Sequence, residues 1–157
     1  MTSAEKLIIF DFDFTVADTI NEFNPFVSTW EPLPGAKRLA HYFEKFPEHT
    51  YIVTARYEHF EGRSLINKFL PRIGLAHFPP DQIIFAGFLK NFHRKKASII
   101  RALIQELRPK KIIIFDDTKA NRTFMELVED EFQGLNIIVV DPFTGDAAGR
   151  STPDFED

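Results

Sequence analysis

Four acids, a threonine and two adjacent lysines are the residues whose types and placement could do chemistry in this chain. Asp11 lies near the end of the apolar run "KLIIFDF" and Asp13 directly follows it, Thr54 stands near the end of "TYIVTA", and Asp116 and Asp117 close "KKIIIFDD". Lys96 opens "KASIIRALIQEL" and Lys95 directly precedes it. A carboxylate is costly to bury unless it is paired, hydrogen-bonded or bound to a cation, so acids at the ends of apolar runs demand a partner. Four acids brought to one place cannot all stay ionised without a cation. Oxygen ligands, with no cysteine and no histidine cluster, suit a hard ion such as Mg²⁺, which keeps positions open for water and phosphate. Asp11 and Asp13, two apart on an extended segment, point the same way. One can attack while the other trades protons with a leaving group.

Those residues are positioned by short β-rich runs alternating with amphipathic ones. The strands are expected in "KLIIFDF", "TYIVTA", "DQIIFAGF", "KKIIIFDD" and "LNIIVVDP". The helices are expected in "PGAKRLAHYFEKF", in "FEGRSLINKFL" up to Pro71, in "KASIIRALIQEL" up to Arg108-Pro109, and in "KANRTFMELVEDEF" up to Gly134. This alternation predicts βαβ units: an α/β, Rossmann-like, doubly wound and mostly parallel five-stranded sheet with helices on both faces. Ligands bind such sheets beyond the carboxyl ends of the strands. Three strand ends therefore bring the four carboxylates and the Thr54 hydroxyl to one edge.

The chain of 157 residues reads as one domain over 1–144, followed by a flexible acidic tail over 145–157. With 44% apolar residues, 18 of the total being phenylalanine, it can fill a core. A net charge of −4 gives no global basic footprint, which leaves nucleic acid only a local patch to bind. The absence of cysteine excludes disulfides and thiolate metal sites. No apolar run approaches a membrane span and the first residues lack the pattern of a secretory signal, so the expectation is a soluble, cytoplasmic protein with no membrane partner.

Four short motifs together resemble the haloacid dehalogenase-like (HAD) superfamily. "DFDFTV" resembles its motif DxDx[TV][LV], "IVTAR" its strand ending in Ser or Thr, "RKKASIIRAL" its lysine at a helix start, and "IIIFDDTKAN" its paired acids. They occur in the family's order from Asp11 to Asn121, most of the chain. The resemblance implies a Mg²⁺-dependent phosphatase. Asp11 would be the nucleophile that forms an aspartyl-phosphate, and a metal ligand. Asp13 would be general acid and then base, with its carbonyl on the metal. Thr54 would hold the transferring phosphoryl group. Lys96 would neutralise charge there, chosen because Ile100 and Leu103 follow it at helical spacing; Lys95 is the alternative. Asp116 and Asp117 would complete the metal ligands, and Asn121 stands where some members carry another acid. In one departure, Phe14 occupies a position that is glycine in many members, where it narrows the pocket or supplies an aromatic wall.

Members of this superfamily usually carry a cap. Here Val16 to Leu33 allows only a turn and a flap, and Thr54 to Lys96 is filled by one helix, one strand and loops. The chain therefore resembles the capless subgroup, whose open sites take large substrates or borrow a lid from another subunit. Substrate contacts are expected from Thr54, Arg56 and Lys95. The flanking stretches are "TARYEHFEGR" and "LKNFHRKK", which mix basic and aromatic residues in the manner of nucleotide and single-strand sites. Trp30 is expected in the flap as a substrate cover, and Asp18 as a cap. The substrate expected is a phosphomonoester, small or at a macromolecular end, with a nucleotide or polynucleotide end among the candidates. The alternatives are a catalytically silent binding module of the same fold, or a phosphotransferase to an alcohol.

Overall fold

The computed structural model describes residues 6–18, 30–59, 63–87, 92–116, 131–132 and 135–141. Five parallel strands build the main sheet: β1 (Lys6–Phe10), β4 (Thr50–Thr54), β5 (Ile83–Phe85), β6 (Lys111–Phe115) and β7 (Asn136–Val140). Their spatial order is β5-β4-β1-β6-β7. β1 lies in the centre, bonded to β4 through Ile8↔Thr50 and to β6 through Phe10↔Phe115. From Leu7 to Phe10 it is an apolar run because parallel strands under helices are covered on both faces. The expected α/β, Rossmann-like fold is the one observed.

Side chains alternate across the sheet and define two cores. On one face Ile8, Phe10, Ile52, Ile113, Phe115 and Val140 pack with Leu39, Tyr42 and Phe43 of helix α1 (Pro34–Lys45) and Ile66 and Phe69 of helix α2 (Arg63–Phe69). On the other face Leu7, Ile9, Val53, Ile112, Ile114 and Val139 meet Ala97, Ile100, Leu103 and Ile104 of helix α3 (Phe92–Leu107). Phe10 stacks on Phe115 at 4.3 Å between centroids, so the central register is fixed by ring contact as well as by backbone bonds. Among the described helices none is long and apolar enough to cross a membrane.

Three details differ from the sequence expectation. Helix α3 begins at Phe92, which places Lys96 in its second turn rather than at its start. A small antiparallel pair, β2 (Ala17–Asp18) with β3 (Glu31–Pro32), brackets the expected flap, and Asp18 is a strand residue opposite Glu31 rather than a helix cap. Helix α2 stops at Phe69, and Pro71 lies in the single tighter turn Leu70–Ile73, closed by Gly74 at φ 82°. The expected helix over 119–132 lies outside the described residues except for Glu131 and Phe132, and the expected tail lies wholly outside them.

One glycine has a steric task. Gly35, in the first turn of α1, lies so close to the backbone of Thr15 that a Cβ there would overlap the Thr15 carbonyl. The start of α1 and the loop after β1 therefore interlock, and that loop carries Asp11 and Asp13.

Candidate active site

Strand order in the sheet reverses between β1 and β6, the place where such folds leave a crevice. Asp11 follows β1 and Asp116 follows β6, so each strand end delivers an acid to the same crevice. The Asp11 backbone N–H donates to the Phe115 carbonyl at 2.9 Å, which locks the two ends together. Both acids are buried.

Lys96 reaches them from α3. Its side chain is 2% exposed, and its Nζ lies 3.0 Å from Asp11 Oδ1 and 3.6 Å from Asp116 Oδ2. The helix puts it there by register: Ala97, Ile100, Leu103 and Ile104 bury one face of α3 on the sheet, and Lys96 caps that stripe at the sheet edge. Burial by itself would lower the pKa of this ammonium. The charges of Asp11 and then Asp116, with a hydrogen bond to Asp11, outweigh that and hold it above the ordinary lysine value. Lys95 is exposed, since adjacent helical residues do not share a face. Thr15, buried within the "DFDFTV" turn, donates its hydroxyl to Asp11 Oδ2 at 3.4 Å. Residue-type reasoning gave Thr15 no role; its place four residues after Asp11 in a tight turn was the available signal.

A second ion pair forms the rim. Arg56 Nε donates to Asp13 Oδ1 and Oδ2 at 3.0 and 3.1 Å, and its terminal nitrogen approaches Oδ1 at 2.6 Å. The side chains are 16% and 26% exposed, so the pair is wet. The Arg56 guanidinium also lies 4.8 Å over the ring of Trp30. Thr54, the buried last residue of β4, accepts the Arg56 backbone N–H on its hydroxyl at 3.2 Å. Arg56, expected to contact substrate, is thus committed to Asp13 in this conformation. Trp30 is not a solvent-facing cover: it is 1% exposed, wedged against Phe12 and Phe69. Its burial makes it the floor under Arg56.

Asp11, Asp13, Thr54, Lys96 and Asp116 are therefore assembled at one edge. Asp117 and Asn121 lie outside the described residues. No group of three or more acids and histidines with metal-holding geometry occurs among the described residues. The donor chemistry still suits a hard cation: two buried carboxylates face one ammonium, and the cluster keeps one formal negative charge in a crevice where unbalanced charge is costly. Asp11 and Asp116 are the described carboxylates that would hold Mg²⁺.

No protein-family model matches the chain, and no curated protein matches it significantly. Among solved structures it is similar to a protein from Burkholderia xenovorans LB400 provisionally named a haloacid dehalogenase-like hydrolase, with a TM-score of 0.59 and 13% identity over 97% of this chain and 91% of that one. At that identity the likeness is one of fold: the chain shares the α/β architecture of that haloacid dehalogenase-like protein across nearly its whole length.

Proposed function

We propose that this chain is a capless, Mg²⁺-dependent phosphatase of the haloacid dehalogenase type, hydrolysing a phosphomonoester. The observation that carries the reading is the bridge from Lys96 to both Asp11 and Asp116 at the sheet's switch point. Phosphoryl transfer needs in-line placement and charge neutralisation more than exotic covalent chemistry, and the buried ammonium of Lys96 beside Asp11 supports the second of these. Asp11 attacks phosphorus through a carboxylate oxygen, and the bond to the ester oxygen breaks as the aspartyl-phosphate forms. Asp13 donates a proton to the leaving oxygen and then takes one from the water that cleaves the intermediate. That role requires Arg56 to loosen its hold on Asp13, and an arriving phosphate, as a competing anion for the guanidinium, gives it reason to. Lys96 and the Thr54 hydroxyl neutralise and orient the phosphoryl oxygens. Mg²⁺ when bound offsets the charge that the acids and phosphate share. Asp117 is a further metal ligand in this reading.

The test is phosphate release from a panel of nucleotides, sugar phosphates, 3′-phosphorylated oligonucleotides and phosphopeptides, with Mg²⁺ and with EDTA. Release that needs Mg²⁺ and falls at least about a thousand-fold in Asp11→Asn is the expected result. Release unchanged in Asp11→Asn, or none from any ester, overturns it. Added alcohol acceptors show whether the phosphoryl group passes to an alcohol instead of water.

A further inference from the structure

Among the described residues, two large hydrophobic side chains are exposed: Phe14 at 41% and Tyr57 at 39%. Each is the chain neighbour of one member of the Asp13–Arg56 ion pair. The exposed aromatic surface of the described chain is therefore gathered on the rim of one crevice.

The backbone at Phe14 sharpens the point. Its φ is +59°, in the left-handed region where a bulky residue is strained and glycine is not. Arg108 shares the sign, but it directly follows the last residue of α3, where helices commonly end in that conformation. Phe14 follows a strand and stands in a turn fixed by its own N–H on the Ala17 carbonyl at 2.9 Å and by the Val16 N–H on the Phe12 carbonyl at 2.9 Å. The turn imposes the conformation, glycine would satisfy it freely, and the ring is not core. Strain held beside reactive groups points to a task for the side chain.

Tyr57 is held in place as well. Gly87, just beyond β5 and at φ +85°, lies under its ring: a Cβ there would come within 3.1 Å of Tyr57 Cε1. Loops after β1, β4 and β5 thus combine to present two aromatic residues at one edge.

The direction of the leaving group follows from the floor of the site. Asp11, Asp116 and Lys96 are buried while Asp13 and Arg56 are partly exposed, so the open side of a phosphate bound at Asp11 is taken to be the one toward Asp13 and Arg56. We infer that Phe14 and Tyr57 form an aromatic subsite for the planar base of a nucleoside monophosphate, whose sugar hydroxyls face the polar Asp13–Arg56 rim between them. This rests on the phosphomonoester reading above and adds to it the class of leaving group.

The test compares adenosine 5′-monophosphate with ribose 5-phosphate, which share the phosphate and sugar and differ by the base. Titration calorimetry in EDTA, where no Mg²⁺-dependent turnover intervenes, is run on the full chain and on Phe14→Leu, Phe14→Gly and Tyr57→Leu. The glycine variant suits the turn's conformation, so its result is not a folding defect. Stacking on an aromatic residue predicts that the base-bearing ligand binds about ten-fold or more tightly, and that this ratio collapses several-fold in each variant. Equal binding of the two ligands, no measurable binding of the nucleotide, or a ratio unchanged in the variants overturns the subsite. The two readings fail separately. Mg²⁺-dependent release at equal kcat/KM from both esters, with equal binding, removes the subsite and keeps the phosphatase. A ratio that collapses as expected, in a protein that releases phosphate from nothing, keeps the subsite and removes the phosphatase.

Discussion

Among the described residues one crevice holds a lysine cluster with two aspartates and an arginine–aspartate pair, and the two differ in almost everything except the kind of charges they join. Lys96 with Asp11 and Asp116 is sealed between sheet and helix, while Arg56 with Asp13 is half-wet on the rim. The inner cluster has an ammonium, a point charge on a flexible stem. The outer pair has a planar guanidinium that matches a carboxylate with two bonds and stacks on Trp30. Burial makes the first an electrostatic fixture whose partners cannot be exchanged for water. Exposure makes the second an exchangeable contact. In the proposed phosphatase the group that must change protonation during turnover belongs in the second setting, and Asp13 is the one found there.

Removing the inner cation tests this contrast with the largest effect. Lys96→Met leaves two buried carboxylates facing each other, and breaking such a cluster costs about 3–5 kcal/mol. Denaturant unfolding of the variant checks this, and phosphate release should vanish with it. The pH profile separates charge from packing. Because the folded Lys96 pKa is raised, its contribution is fully present below the unfolded lysine value and is lost as pH rises through the folded one. Stability of the wild type should therefore hold through neutral pH and fall in the alkaline range, with a smaller fall in Lys96→Met. Tyr51, pushed upward by burial and then by Glu106 and Asp81, adds its own alkaline loss to both proteins and cancels in the comparison.

Breaking the outer pair should divide the two readouts. Arg56→Gln is expected to cost about 1 kcal/mol or less of stability, as wet ion pairs do, while lowering kcat far more than the melting temperature suggests. Equal losses in both would show that the rim pair is structural and would erase the distinction between the two sites.

A third ion pair calibrates the scale. Arg101 and Glu131 meet at 2.6 Å on the exposed face of α3, as short a contact as the rim pair makes. Arg101→Gln is expected to leave both melting temperature and phosphate release within error, which shows that length alone does not make a pair matter.

The strands, the parallel order and the convergence of Asp11, Thr54 and Asp116 were legible because apolar runs ending in polar residues encode them locally. Lys96 could be preferred to Lys95 because Ile100 and Leu103 mark the buried face of α3 by period alone. The Arg56–Asp13 pair was not legible. It joins residues 43 apart through two loops whose paths no propensity fixes. Trp30 was misread for a similar reason: a tryptophan among prolines and polar residues resembles a surface cover until Phe12 and Phe69 close on it from elsewhere in the chain. The strained turn at Phe14 was visible only as a missing glycine.

The central place of β1 has a consequence for the order in which the molecule is made. Its neighbour β4 follows about forty residues later along the chain, but its other neighbour, β6, follows roughly a hundred residues later, and the more distant a parallel pairing the slower it forms. A growing chain thus carries Asp11, Asp13 and Thr54 well before it carries the strand that walls the crevice or the acid at its end. The surroundings of Asp11 are complete only once β6 has docked, with its Phe115 carbonyl and the following Asp116. No stretch of this chain that stops short of β6 can build them.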